Sequence, residues 1–363
     1  MNKNYSVKIK ILSPVHIGAG TEKNWQRGAD FVHTRGNIYI LDQRKVWLGL
    51  DDNQQQRYLN FMGSGKFAEV ERLIVDELEL DDISTQVFEY NGKLSSREIK
   101  TLVRDGNNDA YLPGSSIKGA MASAIHHFLY EGIKPTHYNE QTAKELLGTF
   151  DRALGRYLRP SDSSVLPTEV NDVDLYNLYR KGIHWAGDFK QNFTIITETF
   201  KRNTEGTFRL SLADDLAAFI KQKGGDTALP TYYKSVFGGS PLETLFKIIN
   251  NYTYTHVQRE LAYFNEYNDQ EEIDLVTEQL EEILKDLKQP SPNTCILRMS
   301  FGSGFHGITG DWRFKDHTTT IGTPDTKNLI YNRETRQKEA ARYKSRRLVF
   351  PYNGLMGFIR LEA

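Results

Sequence analysis

Three short turns hold the residues whose types and spacing suggest chemistry. They are Val15-His-Ile-Gly-Ala-Gly20, Pro113-Gly-Ser-Ser-Ile-Lys-Gly119 and Phe301-Gly-Ser-Gly-Phe-His-Gly-Ile-Thr-Gly310. The middle one reads as a strand end, a glycine turn and the first turn of an amphipathic helix. Ser115 or Ser116 is placed to cap that helix by accepting a bond from a first-turn N–H. The remaining N–H groups and the helix dipole favour an anion there. Gly114 and Gly119 permit close approach of another backbone, and Lys118 adds a positive charge. In the other two turns, His16, Gly18 and Gly20, and Ser303, Gly304, Phe305 and His306, combine glycine N–H groups with a histidine. The chemistry implied is a seat for phosphate, and hence for a nucleic-acid backbone. Gly-x-x-x-x-Gly-Lys-Ser/Thr is absent, so this is no P-loop. The third turn lacks a following βαβ unit and an acidic ribose ligand, which argues against a dinucleotide site.

Each of these residues also has a bland reading. His16 and His306 have the chemistry of a general base for a 2′-hydroxyl, but neither has a second acid–base residue nearby in sequence. The spacing favours loop histidines that bond backbone or stack on a base. Asp30 reads as a strand-edge charge. Trp25, Phe305 and Trp312 are candidates for stacking on bases. Arg342, Lys344, Arg346 and Arg347 precede a Leu-Val-Phe strand; they either hold phosphates or guard a strand edge. His126 and His127 are adjacent and would point apart on a helix. No metal-ligand spacing is present, and no cofactor is implied.

The elements that must position these turns follow from periodicity. Tyr5, Val7, Ile9 and Ile11 alternate with polar residues, which predicts a half-buried strand closed by Pro14. Strands are expected at 29–34 and 37–41, joined by Arg35-Gly36, and at 85–90. Helices are expected at 44–50, 53–62 and 66–80. From Ser116, the residues Ile117, Ala120, Met121, Ala124, Ile125, Phe128 and Leu129 fall on one helical face, with Gly132 as the C-cap. A helix near 140–150, a strand running into a loop over 158–165, and strands at 183–189, 194–200 and 207–212 follow. Pro241 opens a long helix to about 267, and an acidic helix covers 271–288. Strands at 295–301 and 357–361 close the chain; the span 317–347 is polar, basic and weakly patterned. These elements predict an α+β fold of antiparallel sheets backed by helices. Split βαβ sheets of this kind often bind single-stranded RNA on an exposed face.

The chain has 363 residues and a net charge of -1, so any nucleic-acid contact must use local patches rather than overall charge. Charge is segregated: residues 266–286 hold nine acids and one lysine, and residues 327–347 hold eight bases and two acids. Solvated faces alone produce such patterns. The single cysteine, Cys295, excludes an internal disulfide and a cysteine-rich zinc site, and fits a reducing cytoplasm. It sits in an apolar strand pattern and reads as core. No segment has the apolar length of a signal peptide or a membrane span.

Residues 7–20, Asp30-Phe-Val and Ile38-Tyr-Ile-Leu-Asp42 resemble the N-terminus of the RAMP proteins of CRISPR systems. The stretch from Asp105 to Gly119 is similar to that family's signature at its first helix. Leu158–Ser161 with Asp162, the turn at 301–310 and the closing run 354–362 also resemble it. Residues 170–290 carry no matching motif. The chain departs from the pattern at Met121-Ala-Ser, where many relatives carry an arginine. The resemblance implies a ferredoxin-like, RRM-type core over 1–200, a largely helical insertion over 201–290 and a C-terminal glycine-loop region over 291–363. Its order and length imply the type III-A (Csm) subunit that caps the backbone filament at the crRNA 3′ end. The implied partners are crRNA, neighbouring filament subunits and, further along, target RNA, with no membrane. Filament subunits of such complexes cut target RNA with a loop aspartate; Asp30 lies roughly there but in a strand-like run, which implies a non-cleaving chain. The alternative is a metal-independent repeat-RNA endoribonuclease of the same superfamily, with His16 or His306 as base. The implied RNA-binding set is His16, Gly18, Gly20, Trp25, Gly114, Ser115, Ser116, Lys118, Ser303, Gly304, Phe305, His306, Arg346 and Arg347.

Overall fold

The computed structural model of the chain describes residues 2–92, 94, 96–133, 154–181, 184–216, 218–219, 240–267, 271–304, 325–332, 337–341, 345–350 and 354–363. In chain order the first elements are β1 (Asn2–Ile11), β2 (Trp25–Gln26), β3 (Phe31–Thr34) and β4 (Asn37–Leu41). Then come α1 (Gln43–Gly49), α2 (Asp52–Gly63), α3 (Phe67–Glu77), α4 (Leu80–Ile83), β5 (Ser84–Glu89) and β6 (Glu98–Lys100). The middle of the chain forms α5 (Gly114–Ile133), β7 (Leu158–Pro160), β8 (Thr168–Lys181), β9 (His184–Phe189), β10 (Ile195–Phe200) and β11 (Glu205–Ala213). After these lie α6 (Pro241–Glu266), α7 (Glu271–Lys288) and β12 (Thr294–Arg298). The last strands are β13 (Asp325–Asn332), β14 (Gln337–Ala341), β15 (Ser345–Phe350), β16 (Gly354–Leu355) and β17 (Phe358–Glu362).

The α+β reading holds. One sheet runs β12-β17-β1-β11-β7 and is antiparallel throughout. Its members β1, β7, β11 and β17, with α5 after the first and α6 after the third, follow βαββαβ chain order and the spatial order 4-1-3-2. That is the connectivity expected of a ferredoxin-like unit. The alternation along β1 buries Val7, Ile9 and Ile11 against Ile117, Met121, Ile125 and Phe128 of α5 and Leu245, Ile248 and Ile249 of α6. The free edge of β12 is closed by side chains. Asn250 Nδ2 donates to Thr294 O at 2.9 Å, and Ile296 N donates to Asn250 Oδ1 at 2.9 Å.

A second sheet runs β16-β15-β8-β10-β6-β2, with β9 beside β8 and only β10–β6 parallel. It packs on α6 and α7 through Tyr176, Tyr263, Phe264, Val276, Leu280 and Leu348. The apolar stripe of the acidic helix α7 faces that core, so its carboxylates form a solvated face. A third sheet, β3-β4-β5, carries α1–α4. Arg35 (φ 53°) and Gly36 (φ 77°) form the β3–β4 turn, the pair of left-handed residues that a tight hairpin needs. Asp42 caps α1, Asp51 and Gln54 form a capping box on α2, and Ser240 caps α6 ahead of Pro241.

Three expectations need correction, and a fourth is not reached. Helix α5 starts at Gly114 rather than at Ser116, and it runs through Gly132 to Ile133. Strand β8, 14 residues long, was not foreseen. The span 317–347, read as weakly patterned, contains β13, β14 and the start of β15. The helix expected near 140–150 lies outside the described residues. None of the described helices is long and apolar enough to cross a membrane.

Candidate functional site

The three glycine-rich turns meet. His16, Ile17 and Gly18, the α5 residues Ser116, Gly119, Ala120 and Ser123, and Met299, Ser300, Phe301 and Ser303 line one open groove of about 430 Å³. Its lining is mainly apolar, with Ser116, Ser123, Ser300 and Ser303 among it.

The first turn is held as an extra extended segment. Ile17 O accepts from Val103 N at 3.0 Å, and Ala19 N donates to Thr101 O at 3.1 Å, which leaves Gly18 to face the groove. His16 is buried, and its Nδ1 lies 2.7 Å from Glu198 O. A ring that donates from Nδ1 to a carbonyl keeps Nε2 as an acceptor. Burial, with Lys100 nearby, lowers the His16 pKa to about 4. The imidazole is therefore neutral at pH 7 and is a weak base there. Its ring stands edge-on to Phe301 at 5.5 Å, and Phe301 N donates to His16 O at 3.2 Å.

The second turn differs from the expected open anion seat. Neither Ser115 nor Ser116 caps α5. Asp162 Oδ1 accepts from Gly114 N at 2.7 Å, and Pro113 O accepts from the N–H groups of Ser116 and Ile117. The helix end is thus filled by the protein's own carboxylate. Gly114 serves a packing need: a Cβ there would run into Pro160 O and come within 2.7 Å of Ser161 C. Lys118 points away from the groove, toward Gly155. Gly119 faces open space.

The third turn is held by Ser303 Oγ donating to Ser300 O at 2.6 Å. Ser300, Gly302 and Gly304 all have positive φ. At Gly357 (φ 93°) a Cβ would collide with Met299 O, so glycine is required where the closing strand passes beneath this turn.

Other expected site residues lie elsewhere. Trp25 packs on Phe88 at 6.1 Å beneath the Arg104 guanidinium. Gly20 is exposed at the end of the first turn. The Asp30 carboxylate accepts from Gln26 N at 2.8 Å, as a turn-closing side chain. Arg346 does not reach solvent: it is buried, paired with Glu260 at 2.6 Å and stacked 4.0 Å over Tyr263. That pairing holds the Glu260 carboxyl down at about 2 against the effect of burial. Arg347 donates to Phe193 O at 2.8 Å on the β15 surface. Phe305, His306, Trp312, Arg342 and Lys344 lie outside the described residues. Cys295 is buried in the core, as expected, and burial pushes its thiol pKa up. His127 packs at a tilt against Tyr252, centroids 5.1 Å apart, and does not line the groove. Among the described residues no group of three or more His, Cys, Asp or Glu could hold a metal.

Two groups at the groove were missed. Lys100 Nζ lies 5.3 Å over the Phe301 ring, so the cation at the groove comes from β6 and not from α5. Glu198, fully buried and paired with Arg104, anchors the segment that holds His16. Burial raises the Glu198 carboxyl pKa despite Arg104 and a bond from Leu102 N. The basic spacing Arg97, Lys100, Arg104 was the available signal.

The RAMP superfamily model matches residues 8–314. The chain belongs to the RAMP superfamily. The curated protein Csm5 of the CRISPR system of Methanocaldococcus jannaschii is 24% identical over 320 residues, covering 82% of this chain and 71% of that one. A chain of a type III-A Csm–crRNA–target RNA ternary complex superposes with a TM-score of 0.62 at 17% identity, covering 100% of both chains. Csm5 of T. onnurineus superposes with a TM-score of 0.55 at 16% identity, covering 97% of this chain and 99% of that one. These likenesses establish a shared fold.

Proposed function

We propose that the chain is a non-catalytic, crRNA-binding structural subunit of a type III-A CRISPR interference complex, seated at the crRNA 3′ end of the filament. One observation carries the reading: three glycine turns from distant parts of the sequence form a single groove. Its apolar lining and Phe301 suit the face of a base or ribose, and Lys100 with Ser116 suits a neighbouring phosphate. Neighbouring filament subunits and target RNA are the further partners in this reading, and the cytoplasm is the compartment. His16 supports a non-catalytic role, because a base with a pKa of about 4 takes few protons from a 2′-hydroxyl at pH 7.

The test fills the groove. Gly119→Trp places a ring where a Cβ meets nothing within 4 Å, so the fold should survive. Affinity for guide RNA should fall at least tenfold, and Lys100→Gln should reduce the salt slope by about 0.7. A Gly119→Trp protein that binds like the parent refutes the site. With 4-thiouridine in the guide, crosslinks should map to its 3′-terminal nucleotides; crosslinks at the 5′ tag reject the placement. Specific, chelator-resistant cleavage of repeat RNA that disappears in His16→Ala would establish the endoribonuclease instead.

A further inference from the structure

The outer face of the first sheet carries a feature that the groove does not use. Val7, Ile9, Phe208, Leu210, Leu158 and Leu361 point inward to α5 and α6. Their strand neighbours must therefore point outward. Register places those neighbours in rows. Arg159 lies beside Ser211, and Ser211 beside Asn4. Arg209 lies beside Ser6. Lys8 lies between Thr207 and Glu362. Lys10 lies between Glu205 and Arg360.

Read diagonally, Arg159, Arg209, Lys8 and Arg360 step one strand across and two residues along at each move. Strand spacing and rise make each step about 8 Å, and the whole diagonal about 25 Å. Arg159, Arg209 and Lys8 are exposed and form no ion pair among the described residues. Arg360 sits at the border, where Asp286 of α7 pairs with it. The strand acids Glu205 and Glu362 stand off the diagonal, and a third acid, Asp162, lies at the sheet edge beside Arg209. Beside the diagonal, Asn4, Ser6, Ser161, Ser163, Ser164 and Thr207 line a shallow groove of about 440 Å³ with Arg209 and one acid, Asp162, whose Oδ1 is engaged by Gly114 N.

We propose that this diagonal is a track for the phosphodiester backbone of a single-stranded nucleic acid. Three evenly spaced cations without an ion pair among the described residues, Arg159, Arg209 and Lys8, flanked by hydroxyl and amide groups, match phosphate oxygens. No large hydrophobic residue on these rows is exposed among the described residues, so the face lacks the apolar anchors that a protein interface needs. It also lacks aromatic rings at Ser6, Lys8, Thr207 and Arg209, so binding there reads backbone and not bases. The face lies opposite α5 and α6, and the proposal stands without the groove at His16.

The experiment is fluorescence anisotropy of the full chain with labelled oligo(U) of 20 nucleotides, from 50 to 200 mM salt. The variant is Lys8→Gln/Arg159→Gln/Arg209→Gln, with Gly119→Trp in parallel to separate this face from the groove. Removing three single-strand contacts should flatten the slope of log K against log salt by about 2. Across that range the triple variant should lose about 20-fold less affinity than the parent. If the triple variant fails to fold, Arg209→Gln alone should flatten the slope by about 0.7. Equal slopes for parent and triple variant overturn the proposal. So does a parent chain that does not bind oligo(U), or one from which polyglutamate displaces oligo(U) at equal charge. An oligo(dT) arm assigns the track: equal affinity means backbone charge alone, and tighter oligo(U) means that the hydroxyls contact the 2′-OH.

Discussion

The neutral His16 makes a quantitative prediction about acid stability. Its folded pKa of about 4 lies below the unfolded value of about 6.5. The unfolded chain therefore binds more protons between those values, and acid destabilises the fold in that window. Integrated from pH 7 to pH 5, the cost is about 2 kcal/mol, a little over half of the full linkage, and a ring that is 3% exposed needs little discount for solvent screening. The perturbation is His16→Gln, whose amide can still donate to Glu198 O but cannot titrate. Unfolding entropy of about 2.1 cal/mol/K per residue gives about 0.8 kcal/mol/K for a chain this long, if it melts as one unit. Scanning calorimetry should then show the parent Tm falling about 2–3 °C more than that of His16→Gln between pH 7 and pH 5. His33, lowered by burial, and Glu198, raised by burial, titrate in both proteins and cancel in the comparison. A smaller cooperative unit containing the groove would shift more. Parallel falls in the two proteins would refute the claim that His16 is held neutral by burial.

Three further outcomes follow from packing. Gly114→Ala forces a methyl against Pro160 O and should cost about 1–3 kcal/mol; an unchanged Tm would contradict the contact. Glu260→Gln leaves Arg346 as an uncompensated buried charge beside Tyr263 and should cost about 3–5 kcal/mol in denaturant titration, whereas a loss under 1 kcal/mol would mean that the pair is hydrated. Asp162→Ala removes the charged acceptor at Gly114 N and should cost about 1 kcal/mol by thermal melting, with Asp162→Asn recovering most of it; equal losses in the two variants would deny the bond.

The parts of the fold that were legible have strong periods and explicit punctuation. Helix α6 starts one residue after Ser240 because a cap followed by proline at the first helical position is unambiguous. The β3–β4 hairpin was legible because Arg35-Gly36 leaves few other conformations. Strand β8 was hidden by composition: Asn171, Asp172 and Asp174 disfavour strands, yet the first two are buried. Tertiary partners explain them, since Asn171 Nδ2 donates to Thr199 Oγ1 at 2.8 Å and Asp172 accepts from the Tyr90 hydroxyl. The glycine turns were legible as a chemical type, but the roles inside them were not. Local sequence showed a basic residue in the signature; it could not show that Lys118 leans on Gly155 while Lys100, 18 residues earlier, overhangs Phe301. Arg346 looked like a surface cation because its partner, Glu260, lies 86 residues away on α6.

The groove exists only when the two ends of the chain have met. His16 Nδ1 reaches a carbonyl 182 residues away, and Phe358 N donates to Ser13 Oγ across 345 residues. Pro14 O accepts from Gly357 N at 2.9 Å, and Gly357 O accepts from Met299 N at 2.9 Å, so the first and third turns are tied through β17. Such long-range closure is expensive in chain entropy and slow to form. Its return is a surface whose backbone is already fixed before a ligand arrives. Binding at such a surface spends less on ordering loops. The same ties explain why His16 is placed where it titrates poorly. Its ring is buried between β10 and Phe301, and that burial removes it as a base.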